Sequence, residues 1–347
     1  MADPLKAAAL AVAATGAAVA GGKIVRDARA SGASEEPDRA YRLRREEYVP
    51  DGIRRIARGQ LDDAHDQLEH TSTDDFGKAV HETRKSLKRL RACVRLSRHA
   101  IGEQSYSREN TVFRMTGQRL SDARDARVLL ETLGELEDRY PDELPPLLTH
   151  RLRERLQHDH ERELATLNED DRTIGAVLDE LESARVRAAD WTFEADGFQA
   201  LRPGLQRVYR RGRKRMRVAR KDPTAEHLHD VRKRVKDLWH ASQILRPAAP
   251  KQMKKLSKRA HEVANLLGEN HDLAVLRDYA EVHPQAFADE ATRQRLLALI
   301  ERRRDVLERK ALKLGKRLYS QSPKRFVGAI ERGWRKRVPR SPRPVAG

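Results

Sequence analysis

A helical segment occurs twice in the chain, and this repeat limits the possible folds more than any other feature. VHETRKSLKRLRA covers residues 80–92, and LHDVRKRVKDLWHA covers residues 228–241. In each copy a histidine is followed by Arg three residues later, Lys four later and Lys seven later. The next segments also match, since LSDARDARVLL at 120–130 aligns with LGENHDLAVLR at 267–277. Self-similarity of this kind indicates that one supersecondary unit is used twice.

Most of the chain after residue 46 has a helical pattern. Apolar residues recur at spacings of three and four, as at Leu87, Leu90 and Val94, and alternating patterns are scarce. Proline and helix-capping residues divide this region into helices of roughly 16 to 30 residues, long enough for antiparallel bundles. We therefore predict an all-α fold, with residues 35–190 as the first helical repeat and residues 191–325 as the second.

The two ends of the chain depart from this pattern. Residues 1–34 form an Ala-rich leader whose apolar stretch, 7–22, is shorter than the roughly 20 residues that span a bilayer. We expect the leader to be flexible or to associate with a surface, with a membrane anchor or a cleaved signal as alternatives. Residues 326–347 are basic and contain several prolines, and we predict a disordered tail there.

The charge balance indicates a polyanionic partner. Lys and Arg total 71 against 53 Asp and Glu, which gives a net charge of +18. Such a charge suits nucleic acid, an anionic membrane or another phosphate polymer, and does not choose among them. Cys93 is the single cysteine, so no intramolecular disulfide can form, and we predict a small core residue in a cytoplasmic protein.

The repeated helix separates its charged residues from its apolar ones. An advance of 100° per residue places four cations on the same face as His81, opposite the apolar residues. They are Arg84, Lys85, Lys88 and Arg95. The second copy has the same kind of face, formed by His229, Arg232, Lys233, Lys236 and His240. Like charges at these spacings destabilise a helix, so two such faces favour a phosphate-binding groove over two merely solvated surfaces. If the histidines contribute charge, binding should tighten below about pH 6.5.

The histidines also allow a metal site or a metal-dependent phosphohydrolase as alternatives. The possible ligands are His81, His158, His160, His229, His261 and His271. The repeat argues against both readings, because His261 and His271 align with Arg114 and Arg124 in the first half. Arginine cannot ligate a metal, but it can replace histidine as a donor to phosphate. We therefore predict no metal, no cofactor and no catalytic residue.

Carboxylates follow each basic helix and have a simpler expected role than catalysis. They are Asp122, Asp125, Glu269 and Asp272. We expect them to hold neighbouring Arg and Lys side chains in place. Non-specific binding of nucleic acid stays open as an alternative, although aromatic residues make up only 5% of the chain and offer few platforms for base stacking.

HETRKSLKRLR followed by LSDARDARVL resembles the conserved histidine α-helical domain, or CHAD, family. GLQRVYRRGRKRM at 204–216 is similar to the start of that family's second half. The resemblance implies two four-helix bundles related by pseudo-twofold symmetry, with a basic groove or channel between them. It also implies binding of inorganic polyphosphate, often at intracellular polyphosphate granules, and contact of the leader with a granule or membrane is compatible with that role.

The predicted polyphosphate site combines the residues implied by the resemblance with those of the repeated basic faces. It comprises His81, Arg84, Lys85, Lys88, Arg89, Arg91, Arg114, Arg124, Arg207, Arg210, His229, Arg232, Lys233, Lys236, His240, His261 and His271. The second copy departs from the family pattern, because Asp237 and Trp239 occupy the positions of Arg89 and Arg91. Neither the ExExK motif of the family's frequent catalytic partner nor strands to carry it are found, so we predict a binding module rather than an enzyme.

Overall fold

The computed structural model describes residues 39–72, 75–120, 122–169 and 171–337, and the side chains of residues 39, 122–126, 168, 169, 171 and 337 lie outside that description. Every regular element in these ranges is helical, which confirms the predicted all-α class. The α-helices are α1 (Val49–Glu69), α2 (Phe76–Ile101), α3 (Glu103–Arg119), α4 (Asp122–Arg139), α5 (His150–Glu169), α6 (Asp171–Ala189), α7 (Gly197–Ala219), α8 (Ala225–Ile244), α9 (Pro250–Val282), α10 (Glu290–Leu318) and α11 (Pro323–Arg337).

Both copies of the repeated helix bury the predicted apolar face. In α2, Leu87, Leu90 and Val94 are at most 1% exposed, and in α8 Val231 and Val235 are fully buried. Cys93 is also fully buried, as predicted for a core residue. Because the apolar stripe faces the core, the charged face of each helix is directed away from it.

The hydrophobic side chains form two clusters, and each cluster draws on both repeats. The larger one extends from Tyr41 to Trp334 and includes residues of α1 to α3 and of α6 to α11. The smaller one combines α4 and α5 with α10 and the second half of α9. The predicted boundary at residues 190–191 falls between α6 and α7, and it does not separate two independent cores.

Two helix boundaries differ from the sequence-based expectation. The first repeat ends α3 at Arg119 and starts α4 at Asp122, whereas the matching part of the second repeat is one helix, α9. The predicted disordered tail is wrong for its first part, because α11 continues to Arg337. Phe326, Val327 and Trp334 recur at helical spacing and are at most 7% exposed, so their burial outweighs the basic composition. The rest of the tail, 338–347, lies outside the described residues.

The leader at residues 1–34, including its apolar stretch, also lies outside the described residues. None of the described helices carries an apolar run long enough to cross a membrane.

A glycine sets the distance between the two repeats. Helices α2 and α7 cross at Gly204, where an added Cβ would lie 1.8 Å from the carbonyl oxygen of Leu96. Real Cβ atoms essentially never come within 3.0 Å of such an atom, so only glycine allows this approach. Close contact at Gly204 therefore fixes how near the basic helix α2 lies to the second repeat.

The segment before α1 also joins the repeats. The Tyr41 hydroxyl donates to the carbonyl oxygen of Arg89 at 2.9 Å, and the Leu43 amide donates to that of Ile244 at 3.1 Å. The Arg55 guanidinium holds this segment through Glu47 and two backbone carbonyls. The middle of α2 and the C-terminal end of α8 are thus both tied to the segment that carries Tyr41.

Candidate anion-binding site

A cavity of about 650 Å³ lies between the repeats, with α2, α3 and α4 on one side and α8 and α9 on the other. We call it the basic pocket. Its cations are Arg84, Lys88, Arg91, Arg95, Arg114, Arg232, Lys233, Arg234 and Lys236, and its histidines are His229, His240 and His271. Asp237 and Asp272 are the carboxylates in its described lining. Nine cations facing two carboxylates make this pocket suited to a polyanion.

Arg91 shows most directly that the pocket lacks counter-charge. Burial, together with the nearby charges of Arg95 and Arg114 and against that of Asp237, lowers the pKa of its guanidinium to about 10. Its Nε atom is buried and makes no hydrogen bond. A buried donor of a cation that has no acceptor is satisfied when an anion enters, and the cation is stabilised.

Asp237 holds two of the pocket arginines and connects the repeats. Its carboxylate is 5% exposed; Oδ1 accepts from Arg95 of α2 at 2.8 Å, and Oδ2 pairs with Arg234 at 3.0 Å. Arg95 also donates to Asn110 of α3 at 3.1 Å. The aspartate that departs from the first copy's pattern is therefore an ion-pair partner for an arginine of the other repeat.

Arg84 and Arg232 each connect a basic helix to the helix that follows it. Arg84 Nη1 donates to the carbonyl oxygens of Gly117 at 2.9 Å and Leu120 at 2.7 Å, at the C-terminal end of α3. Helix ends leave such carbonyls without intrahelical partners, so this arginine satisfies them. Arg232 Nη1 lies 3.9 Å from the carboxylate of Asp272 on α9. Asp272 was expected to hold a neighbouring cation in place, and this contact is of that kind. Both arginines therefore support the walls of the pocket as well as lining it.

Two of the pocket histidines, His229 and His240, have depressed pKa values. The rings of His229 and His271 lie 4.5 Å apart. Burial, followed by the charge of Lys233, lowers the pKa of His229 to about 4. Burial, followed by the charge of Arg89, lowers the pKa of His240 to about 3. In the free protein these two histidines thus stay neutral at pH 6.5, which corrects the expectation that they gain charge there.

Ten of the predicted site residues line the basic pocket. They are Arg84, Lys88, Arg91, Arg114, His229, Arg232, Lys233, Lys236, His240 and His271. The side chain of Arg124 lies outside the described residues. His81, Lys85, Arg89, Arg207, Arg210 and His261 are not among the residues that line it.

The contacts of the excluded residues explain several of these positions. Arg89 donates to Gln60 at 3.2 Å and lies over the Tyr41 ring, so it faces the segment that precedes α1. Lys85 pairs with Glu82 of its own helix at 3.1 Å. His261 packs against the ring of Trp239, 4.6 Å away, beyond the pocket.

Two cations of the pocket were missing from the predicted site. Arg95 lies on the basic face of α2, as the helical period predicts, although the predicted site did not include it. Arg234 lies beside Lys233 on α8 and off the face defined by His229, and its place in the lining depends on Asp237. No spacing in the sequence indicates that ion pair.

Among the described residues, one group of side chains lies close enough together to hold a metal ion, and it lies outside the basic pocket. His65, Asp66 and Glu69 of α1 offer ligand atoms within 4.8 Å of one another. Two of the three are exposed, and none lines the pocket. The histidines weighed as ligands from the sequence do not belong to this group.

Comparison with known proteins adds a family assignment to this geometry. The family model described as the CHAD domain matches residues 55–281, more than half of the chain. The matched region runs from α1 to the end of α9 and so includes every helix that lines the basic pocket. A search of curated proteins found no significant match.

Proposed function

The chain belongs to the CHAD domain family, and from that premise we propose that it binds inorganic polyphosphate in the basic pocket. The family is consistent with polyphosphate binding in general. The observation that carries the proposal for this chain is the lining of the pocket, where nine cations face two carboxylates.

The chemistry of polyphosphate fits such a lining. The polymer is a flexible chain with about one negative charge on each phosphate, and arginine and lysine bind phosphate oxygens through charge-assisted hydrogen bonds. Binding also releases counterions from the polymer, by the same logic that applies to nucleic acids. Arg91 supports this assignment, because an arriving phosphate supplies the acceptor that its buried Nε lacks.

We propose binding without catalysis. The described lining of the basic pocket contains no serine, threonine or cysteine that could serve as a nucleophile. Asp237 is engaged by Arg95 and Arg234, and Asp272 lies close to Arg232, so neither carboxylate is placed as an isolated base. On this proposal the pocket holds a polyanion and does not activate a water or a hydroxyl group.

We further propose that the protein works at polyphosphate granules in the cytoplasm. The charge of +18 would retain it on a polyanionic granule, and the leader at 1–34 is the segment that could add a surface contact. Imaging of a fluorescent fusion with and without residues 1–34, in cells that make granules, tests this part. Granule association that survives the deletion assigns targeting to the helical region, whereas loss of association assigns it to the leader.

Calorimetry with long-chain polyphosphate tests the main proposal. The titration is run near physiological ionic strength, with duplex DNA of equal phosphate content as the competitor. We expect strong polyphosphate binding that the DNA does not displace, because a shaped pocket distinguishes a thin flexible chain from a duplex. Equal or tighter binding of the DNA would refute the proposal and favour a non-specific nucleic-acid-binding protein governed by net charge.

A further inference from the structure

A second, smaller cavity is lined by residues of the chain from α7 onward. It measures about 140 Å³ and is formed by α7, α9, α10, α11 and the turn between the last two. Its cations are Lys255, Arg259 and Arg317, and its neutral polar residues are Gln252, Ser320 and Gln321. None of its lining residues is shared with the basic pocket.

The chain segments that line this cavity contain no acidic residue. Residues 197–221, 250–261 and 309–330 supply its walls, and none of these segments contains Asp or Glu. Lys255, Arg259 and Arg317 accordingly make no ion pair with any described residue. All three side chains are exposed to solvent, and an anion that enters the cavity would supply the counter-charge that their ion pairing in the described structure does not.

The same helix provides a comparison within the chain. Earlier in α10, Arg293, Arg302 and Arg303 each lie within 2.6 Å of a glutamate oxygen. After Glu308 the helix carries five further cations and no acid before it ends at Leu318. The lack of ion pairs at Arg317 is therefore a local property of this end of α10 and not a general result of the chain's composition.

Contacts of Tyr209 at the base of the cavity fix the shape of the cavity. Tyr209 is fully buried and stacks on Phe326 with ring centroids 3.9 Å apart. The Tyr209 hydroxyl donates to the Leu318 carbonyl at 3.3 Å and accepts from the Gln321 amide at 3.2 Å. These contacts fix the turn that carries Ser320 and Gln321, so polar groups and cations surround a preformed space.

We propose that this cavity is a second phosphate-binding site, which takes a phosphate group of a polyphosphate chain. A volume of about 140 Å³ accommodates on the order of ten water positions, which is enough for a phosphate group with part of its hydration. The three cations supply charge, and the side chains of Gln252, Ser320 and Gln321 supply neutral donors. The identity of the ligand rests on the proposed function, whereas the site itself rests on the geometry above. A long chain that reaches both sites gains avidity over a short one.

The test is calorimetry of the full chain with tripolyphosphate, near physiological ionic strength, with three variants. Arg259→Gln with Arg317→Gln removes two cations of the second site, and Arg91→Gln removes one cation of the basic pocket. Arg139→Gln with Arg151→Gln is the matched control, because it removes two exposed charges that line neither cavity. Circular dichroism verifies that each variant is folded.

We expect two binding events in the unaltered protein. The Arg259/Arg317 variant should weaken one of them about tenfold or more, Arg91→Gln should weaken the other, and the control should change neither. One event that only Arg91→Gln weakens would overturn the second site and leave the proposed function standing. One event that only the Arg259/Arg317 variant weakens would support the second site and overturn the role of the basic pocket.

Two further results would overturn the second site as proposed. An equal loss in the control variant would show that net charge alone governs the weaker event. Single-stranded RNA of equal phosphate number serves as a competitor in the same titrations. Tighter binding of that RNA, lost in the Arg259/Arg317 variant, would assign this surface to nucleic acid and not to polyphosphate.

Discussion

Replacement of Gly204 by alanine should push helices α2 and α7 apart and destabilise the fold. The added Cβ would lie 1.8 Å from the Leu96 carbonyl oxygen, and contacts under 3.0 Å essentially never occur. Helices α2 and α7 must therefore move apart by more than 1 Å, because the obstacle is backbone and cannot rotate away. Overpacking of this kind typically costs 1–3 kcal/mol, so we expect the free energy of unfolding to fall by about 3 kcal/mol despite the better helix propensity of alanine.

Gly59→Ala is the matched control for this substitution. Gly59 lies within α1, and an added Cβ would find no atom within 4 Å. Alanine at such a site in a helix is more favourable than glycine by roughly 0.5–1 kcal/mol. The two variants make the same chemical change in two helices, and we expect effects of opposite sign.

Urea denaturation followed by circular dichroism measures both changes, and calorimetry with polyphosphate measures the consequence for binding. Because α2 carries Arg84, Lys88, Arg91 and Arg95, displacement of this helix should also weaken polyphosphate binding in the Gly204 variant. Unchanged stability of that variant would refute the reasoning, since it would mean that α2 and α7 do not approach as closely as described. Destabilisation without loss of affinity would separate the helix crossing from the shape of the pocket.

Three further predictions follow from single side chains. Arg91→Gln should weaken polyphosphate binding about tenfold in calorimetry, while Arg89→Gln should weaken it less because that side chain faces Gln60. A larger loss of affinity in the Arg89 variant would contradict the position of the pocket. Asp237→Asn should lower the free energy of unfolding in urea by about 3 kcal/mol, because it breaks buried ion pairs. Asp278→Asn, which breaks an exposed pair, should lower it by less than about 1 kcal/mol, and equal losses would contradict the role assigned to burial. Because the pKa of His229 is depressed to about 4 in the folded protein, stability should decline as the pH falls from about 6.5 towards 4, and urea titrations of His229→Gln should show a smaller decline.

Periodicity predicted the fold of the repeated helices because burial of an apolar stripe is a local property of the sequence. Leu87, Leu90 and Val94 were expected in the core from their spacing alone, and they are buried. The break between α3 and α4 was not predicted, because Leu120 and Ser121 carry no proline or glycine signal. The tail was misjudged for a related reason, since its charge concealed the helical spacing of Phe326 and Trp334.

The candidate site could be predicted only in part, because a helical face does not reveal where along its length a partner lies. His81 and Arg84 share a face of α2, yet only Arg84 lies far enough along the helix to line the pocket. The pairing of Asp237 with Arg95 joins residues 142 positions apart, and no local pattern encodes it. The depressed pKa of His240 comes from burial and from the charge of Arg89 in the other repeat. Neither cause could be predicted from the neighbours of His240 in the sequence.

The larger hydrophobic cluster has a consequence for how the chain is made. Tyr41, ahead of α1, and Trp334, on α11, belong to the same cluster, and side chains from both repeats lie between them. During synthesis, therefore, the first repeat emerges from the ribosome with apolar surface that only later helices can cover. The nascent chain must stay soluble until α11 has left the exit tunnel, so folding of this core is expected to be completed only after α11 has been translated.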